Sequence, residues 1–201
     1  MEGELSMGEL QSVSLHGGGL RLTPILPPDH AFLYELAMSE ENLVLWRFRG
    51  TVPPPELFVA QLYSDVLVQF VVRTDAGVPI GHVVAYAPNL QSRHVHLGAV
   101  MSQQTHGQLR GAIAMELLIQ YLFDFWDFNG IFAEVPEFTQ DHMMKKQADR
   151  NPFLPFEVTG RRPGFHYFKG RYWDDVIVYL SREAWESRSG SAIAQSNAGE
   201  R

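Results

Sequence analysis

Apolar positions recur along the chain with two distinct periods. Leu20-Arg21-Leu22-Thr23-Pro24-Ile25 alternates apolar and polar residues and reads as a strand. Pro27-Pro28-Asp29 then starts a helix with Asp near its positive end, and Phe32, Leu33, Leu36 and Ala37 form one apolar face. A second helix is expected after Pro53-Pro54-Pro55, with Glu56 in its first turn and Phe58, Val59, Leu62 and Tyr63 on one side. Val66 to Arg73 is β-branched and apolar enough to be a buried strand, and Thr74-Asp75-Ala76-Gly77 turns it into Val78 to Ala87. After Pro88-Asn89 comes a strand at His94 to Met101.

Leu109, Ile113, Leu117, Tyr121 and Phe125 follow at a spacing of four, with Leu118 and Leu122 beside them, which predicts an amphipathic helix on a sheet, stopped by Asn129-Gly130. Ile131 to Val135 is a short strand ended by Pro136, Gln140 to Ala148 a polar helix, and Phe156 to Val158 and Asp175 to Leu180 are strands. The order β-α-α-β-β-β-α-β-α-β-β predicts an α/β fold with a mixed sheet.

With 201 residues, 45% of them hydrophobic and 19% charged, the chain can bury one well-packed domain. Residues 1–18 lead into the glycine run Gly17-Gly18-Gly19 and are expected to be flexible; Ser187 to Arg201, with Ile193 its only large apolar residue, is expected to be a disordered tail. The expected folded unit is therefore 19–186. Sixteen basic against 23 acidic side chains leave a net charge of -7, which argues against a nucleic-acid partner. Absence of cysteine removes thiolate chemistry and fits a reducing compartment. The apolar runs around Gln69 are too short to span a bilayer, and Met1-Glu2-Gly3-Glu4 does not resemble a signal peptide, so the expectation is a cytoplasmic protein with no membrane partner.

Chemistry concentrates where the His94 to Met101 strand passes through a glycine-containing loop into the long helix. First-turn amides of a helix lack intrahelical acceptors and carry partial positive charge, so a pyrophosphate can bind there; Gly107 and Gly111 allow close approach and Arg110 can add a charge-assisted contact. The same residues also suit a plain polar connection. His94-Val95-His96 places two imidazoles on one strand face, yet no third ligand is evident, and solvent-facing histidines account for the pair, so no metal is expected. Asp29-His30, His106 and Ser102 hold the ingredients of a triad but no Gly-x-Ser-x-Gly elbow, which sets hydrolase chemistry aside. The aromatics Phe165 to Trp173, interleaved with Arg161, Arg162, Lys169 and Arg171, read as hairpin packing rather than as a nucleic-acid platform.

Leu20 to Trp185 resembles the GNAT superfamily of acyl-CoA N-acyltransferases, and within it the branch of ribosomal-protein N-terminal acetyltransferases and siderophore-lysine acyltransferases. The resemblance rests on Ile80-Gly81, on the strand-loop-helix from His94 to Phe123, on Phe132-Ala133-Glu134-Val135, and on Gly160-Arg161, Gly170 to Asp175 and Ser181 to Trp185. It implies a GNAT-like, mostly antiparallel central sheet flanked by helices. It also implies acetyl-CoA or another acyl-CoA as co-substrate, with acyl transfer to a primary amine of a small molecule or a protein N-terminus by direct attack on the thioester.

The family's acyl-CoA loop maps onto Gln104, Gly107, Gln108, Leu109, Arg110 and Gly111, where Leu109 or Ile113 stands in place of the family's final small residue. That departure motivates the alternative of a GNAT-fold binding protein without catalysis. Backbone amides near Val100 and Met101 would hold the thioester carbonyl. An attacking amine must lose a proton, and Glu134, the one acid in its strand, stands where similar proteins carry a catalytic Glu; alternation also allows a solvent-facing role. Tyr167 and His142 are candidate proton sources for the departing thiolate. Trp46, Arg47, Phe48 and Arg49 would line the acceptor groove, or form a connection between helices anchored by Trp46. The exposed edge of the C-terminal strands can pair two copies into a homodimer.

Overall fold

The computed structural model describes residues 15–40, 42–102, 109–139 and 154–188. Eight strands form one sheet: β1 (Leu15–Gly17), β2 (Leu20–Thr23), β3 (Val66–Thr74), β4 (Pro79–Asn89), β5 (His94–Met101), β6 (Gly130–Pro136), β7 (Glu157–Phe168) and β8 (Arg171–Ser181). Their spatial order is β1-β2-β3-β4-β5-β6-β8-β7, and every neighbouring pair is antiparallel except β5 with β6. Helices α1 (His30–Met38), α2 (Pro55–Gln61) and α3 (Arg110–Phe125) flank the sheet, with a 3-10 turn at Pro27–Asp29 leading into α1, and residues 137–139 and 182–188 are also helical. This is the α/β fold with a mixed sheet that the order of elements predicts, and the mostly antiparallel sheet flanked by helices that the resemblance implies.

Alternation along the central strands separates two cores. Val95, Leu97, Ile131 and Ala133 are buried in one cluster with Ala114, Met115, Leu118, Ile119 and Leu122 of α3. Burying each large aliphatic side chain contributes about 1.5–3 kcal/mol. The other cluster joins Leu33, Leu36 and Ala37 of α1 to Phe58, Leu62, Trp46, Val71 and Val100. Within α3, the row of residues spaced by four is not the buried stripe, because each such step overshoots a full turn by about 40°. Phe125, at the end of that row, is 68% exposed.

Arg182, just after β8, fixes the far end of α3. Its guanidinium donates to the carbonyls of Phe123 (3.0 Å), Trp126 (2.6 Å) and Phe128 (2.8 Å), satisfying acceptors at the helix terminus and beyond it with a cation placed at the negative end of the dipole.

Three local expectations change. Leu15–Gly17, expected to precede the folded unit, pairs with β2, so the glycine run is a hairpin turn. Gly130 opens β6 rather than capping α3; a Cβ there would overlap the Tyr179 ring, so close packing demands the glycine. Finally, β7 runs for 12 residues instead of the short segment expected at Phe156 to Val158, because its mixture of Arg, Gly and aromatic residues conceals an exposed edge strand. The helix expected at Gln140 to Ala148 lies outside the described residues.

Candidate functional site

Parallel pairing of β5 with β6 runs from His94↔Gly130 to Leu97↔Ala133 and then stops. Beyond that point Gly98 to Met101 stays paired to β4, and Glu134 to Pro136 stays paired to β8. Each strand is held by its outer neighbour while the inner sides part. Among the described residues, the backbone groups facing this wedge have no strand partner, so apart from the Met101 carbonyl they are available to a ligand that can satisfy them. Val100 and Met101 lie on the β5 wall of the opening. Asn42, itself buried, reaches its end and donates to the carbonyls of Leu36 (3.0 Å) and Met101 (3.3 Å). A Cβ on Gly81, opposite Met101, would overlap the Met101 sulfur and crowd the Val100 carbonyl, so this glycine shapes the same wall.

Helix α3 begins beside the wedge. Leu109 is its N-cap and makes no side-chain cap hydrogen bond, so the N-cap residue itself supplies no acceptor to the first-turn amides from Arg110 and Gly111 onward. A Cβ on Gly111 would make only ordinary contact with Met101 Cγ at 3.4 Å, so packing does not require glycine there. Gln104, Gly107 and Gln108 lie outside the described residues, as does His142. The described part of the cradle, an uncapped helix start next to an open strand pair, suits a ligand with a phosphate at one end and an amide-bearing chain at the other.

On the face of the sheet away from α3, Glu134 is the first β6 residue past the last paired position. Its side chain is 21% exposed and its Oε2 takes two cations, Arg162 Nη2 at 2.7 Å and Arg49 Nη2 at 3.7 Å. Oε1 makes no hydrogen bond or ion pair among the described residues. Arg162 is anchored in turn by the fully buried Asp175, whose Oδ2 accepts from its Nε at 3.0 Å and also from Nη2, while Asp175 Oδ1 lies 3.0 Å from His166 Nε2. Burial works against the charge on Arg162, but the hydrogen bonds it donates to Asp175 and Glu134 outweigh it and the guanidinium titrates above its ordinary value.

Behind Glu134 lies an aromatic floor. His96 stacks on Phe132 at 5.6 Å, Tyr86 stands 5.6 Å from His96, and Tyr179 lies 4.8 Å from Phe132. Burial, followed by the nearby Glu134 carboxylate, pushes the Tyr86 hydroxyl up to about 12, so it stays protonated. Burial also holds His96 below the ordinary imidazole range against the opposing pull of Glu134, and its Nδ1 is buried with no hydrogen-bond partner. His94 meets Phe132 edge-on at 5.5 Å, and among the described residues no third metal-ligating group joins the histidine pair. A shallow, open depression lined by Arg47, Asp65, Val66 and Tyr86 among others meets this floor at Tyr86.

The run Trp46 to Arg49, expected to act as a block, is split. Trp46 is buried in the core and stacks on His82 at 4.8 Å, and the partly buried Phe48 packs against that core on Phe58 at 5.7 Å. Arg47 donates to the Gln61 carbonyl at 2.5 Å and lines the depression. Arg49 alone reaches Glu134. The chain winds through a series of turns here, with Arg49 in the left-handed region, so adjacent side chains diverge. Tyr167 sits near the tip of the β7–β8 hairpin, 61% exposed, paired across the strands with Tyr172 and 5.1 Å from its ring. The structure does not bring Tyr167 to Glu134. Sequence reasoning missed Asn42, Tyr86 and Arg162 as neighbours of the site, because only strand register and the β7–β8 hairpin join them.

No family model matches the chain, and no curated protein matches it in sequence. Solved structures share its fold. A spermidine N-acetyltransferase from Vibrio cholerae, crystallised with CoA and spermine, superposes with a TM-score of 0.70 at 17% identity, covering 84% of this chain and 99% of that one. A spermidine/spermine N-acetyltransferase from the same organism, with manganese ions, gives 0.68 at 17% identity over 85% of this chain and 97% of the other.

Proposed function

We propose that this chain is an acyl-CoA-dependent N-acyltransferase, most simply an acetyltransferase, acting on a primary amine. The observation that carries the reading is the wedge where β5 and β6 part after Leu97 and Ala133, with the uncapped start of α3 on one side and Glu134 at its mouth. Support also comes from the shared fold of the Vibrio cholerae acetyltransferases, one of them crystallised with CoA. Within the superfamily, the motifs at Ile80-Gly81, His94 to Phe123, Phe132 to Val135 and Gly160 to Trp185 together resemble the ribosomal-protein and siderophore-lysine branch.

The first-turn amides from Arg110 onward, with the loop from Gln104, would hold the diphosphate of acyl-CoA. The open inner sides of Gly98 to Met101 would pair with its amide-bearing arm. An acyl-CoA so held supplies an activated carbonyl carbon. A protonated amine has no lone pair to attack with, so a base must take its proton, and Glu134 Oε1 is the acceptor site not engaged by Arg162 or Arg49. The amine nitrogen then bonds to the carbonyl carbon, the carbon–sulfur bond breaks, and the remaining excess proton on nitrogen passes to the departing thiolate, leaving an amide and free CoA thiol. Backbone amides near Val100 and Met101 stabilise the charge developing on the carbonyl oxygen. Asp175, by fixing Arg162, fixes the carboxylate.

Titration calorimetry with acetyl-CoA and longer acyl-CoAs tests the reading. Micromolar binding with thioester turnover on an amine panel is the expected result. One observation favours a second reading, a binding protein without catalysis: Leu109 or Ile113 replaces the small residue that ends the acyl-CoA loop. No binding at millimolar acyl-CoA would decide for it.

A further inference from the structure

We infer that the acceptor is a small primary amine that also carries an anionic group, a carboxylate or a phosphate, and that Arg49 is the residue that grips this group. The inference rests on the N-acyltransfer reading and adds to it the chemistry of the acceptor.

The argument begins with the charges that face the mouth of the wedge. Among the described residues, each carboxylate there is already matched by a cation. Glu134 has Arg162 and Arg49, Asp175 is buried against Arg162 and His166, and Asp174 and Glu137 lie 2.9 and 3.5 Å from Arg161. Asp174 also accepts the Gly164 amide. A polyamine would bring further positive charges to these carboxylates and have to displace a guanidinium from each.

The cations are not equally committed. Arg162 is held by Asp175 and Glu134 and covers the Phe165 ring at 3.9 Å. Arg161 has its two acidic partners. Arg49 differs: its side chain is half exposed, its approach to Glu134 at 3.7 Å is too long for a hydrogen bond, and its guanidinium makes no hydrogen bond among the described residues. A planar guanidinium with open donors matches a carboxylate or phosphate in two-pronged geometry. Arg47, two residues away, is also committed: its Nη1 donates to the Gln61 carbonyl and Asp65 lines the same depression. An anion drawn to Arg49 would leave the acceptor's amine beside Glu134 Oε1, with the aromatic floor beneath the connecting carbons.

The test uses the full chain with saturating acetyl-CoA and amines matched in length: beta-alanine, aminoethylphosphonate, propylamine and diaminopropane, with spermidine added. Calorimetry with acetyl-CoA comes first, so that failure of the acyl-CoA reading is seen separately as absence of binding. Given binding, kcat/KM for beta-alanine or aminoethylphosphonate should exceed that for diaminopropane by about tenfold or more, and the order of the two anionic amines identifies the group. Arg49→Gln should shrink the ratio of anionic-amine to propylamine kcat/KM to within about threefold, acting through KM, and Arg49→Lys should restore part of it. Preference for diaminopropane or spermidine overturns the inference. So does a ratio unchanged in Arg49→Gln, or turnover of none of the anionic amines by a chain that binds acetyl-CoA.

Discussion

Arg162 Nη2 lies 2.7 Å from Glu134 Oε2. The pair joins β7 to β6 across β8, and Arg162 is itself gripped from β8 by Asp175. A carboxylate at the mouth of the wedge is thus oriented through two ion pairs, one of them ending on a wholly buried acid. Such second-layer support restricts the rotamers of a reacting group and leaves one oxygen to face the substrate.

Replacing Glu134 by Gln keeps the shape of the side chain and removes its capacity to take a proton. The expected result is a fall in kcat by a factor of about 10² to 10⁴ with acyl-CoA affinity within about twofold of the parent chain. Steady-state kinetics and calorimetry read the two quantities separately. Unchanged turnover in Glu134→Gln removes the residue from the chemistry.

Asp175→Asn leaves Arg162 and His166 packed around a neutral amide. Breaking a buried ion pair from one side costs about 3–5 kcal/mol, so the denaturant midpoint should drop steeply while the slope stays constant. Folded Asp175→Asn is also expected to turn over more slowly, since Arg162 no longer holds Glu134 in one orientation.

His82 supplies a pH dependence of stability. Burial, with Arg47 adding repulsion, pushes its imidazole from 6.5 down to about 3. Gln69 Nε2 donates to the Leu62 carbonyl, so Gln69 Oε1 accepts from His82 Nε2, and the ring is held neutral. The unfolded chain takes up a proton below 6.5 while the folded one does not. The stabilisation is complete above 6.5 and is lost as pH falls toward 3, by up to about 1.4 kcal/mol per unit. The stability advantage of the parent chain over His82→Gln should therefore narrow between about pH 7 and pH 5. A constant difference across that range would contradict the assignment.

Trp46→Ala separates core from substrate contact. Loss of a buried indole that stacks on His82 and packs on Phe58 is expected to cost about 3–5 kcal/mol. Acceptor KM, measured on the chain that remains folded, should stay within about twofold of the parent. A large rise in KM with little loss of stability would return Trp46 to the acceptor groove.

Strands at His94 to Met101 and near Ile131 to Val135, the hairpin from Val66 onward and the amphipathic helix after Leu109 were all legible in the sequence, because alternation and helical spacing are properties of neighbouring residues. So was Glu134 as a lone acid in an apolar strand. Its surroundings were not. Arg162 is 28 residues away in sequence and Arg49 is 85 residues away, and both arrive through strand order and turn geometry that no local period encodes. The same holds for Trp46, whose neighbour Arg49 shares its segment but not its surroundings. Periodicity fixes which face of an element is apolar. Where β5 and β6 part, and which charges converge beside the gap, follow from how distant strands are held by their outer partners, and that is decided only when the whole sheet assembles.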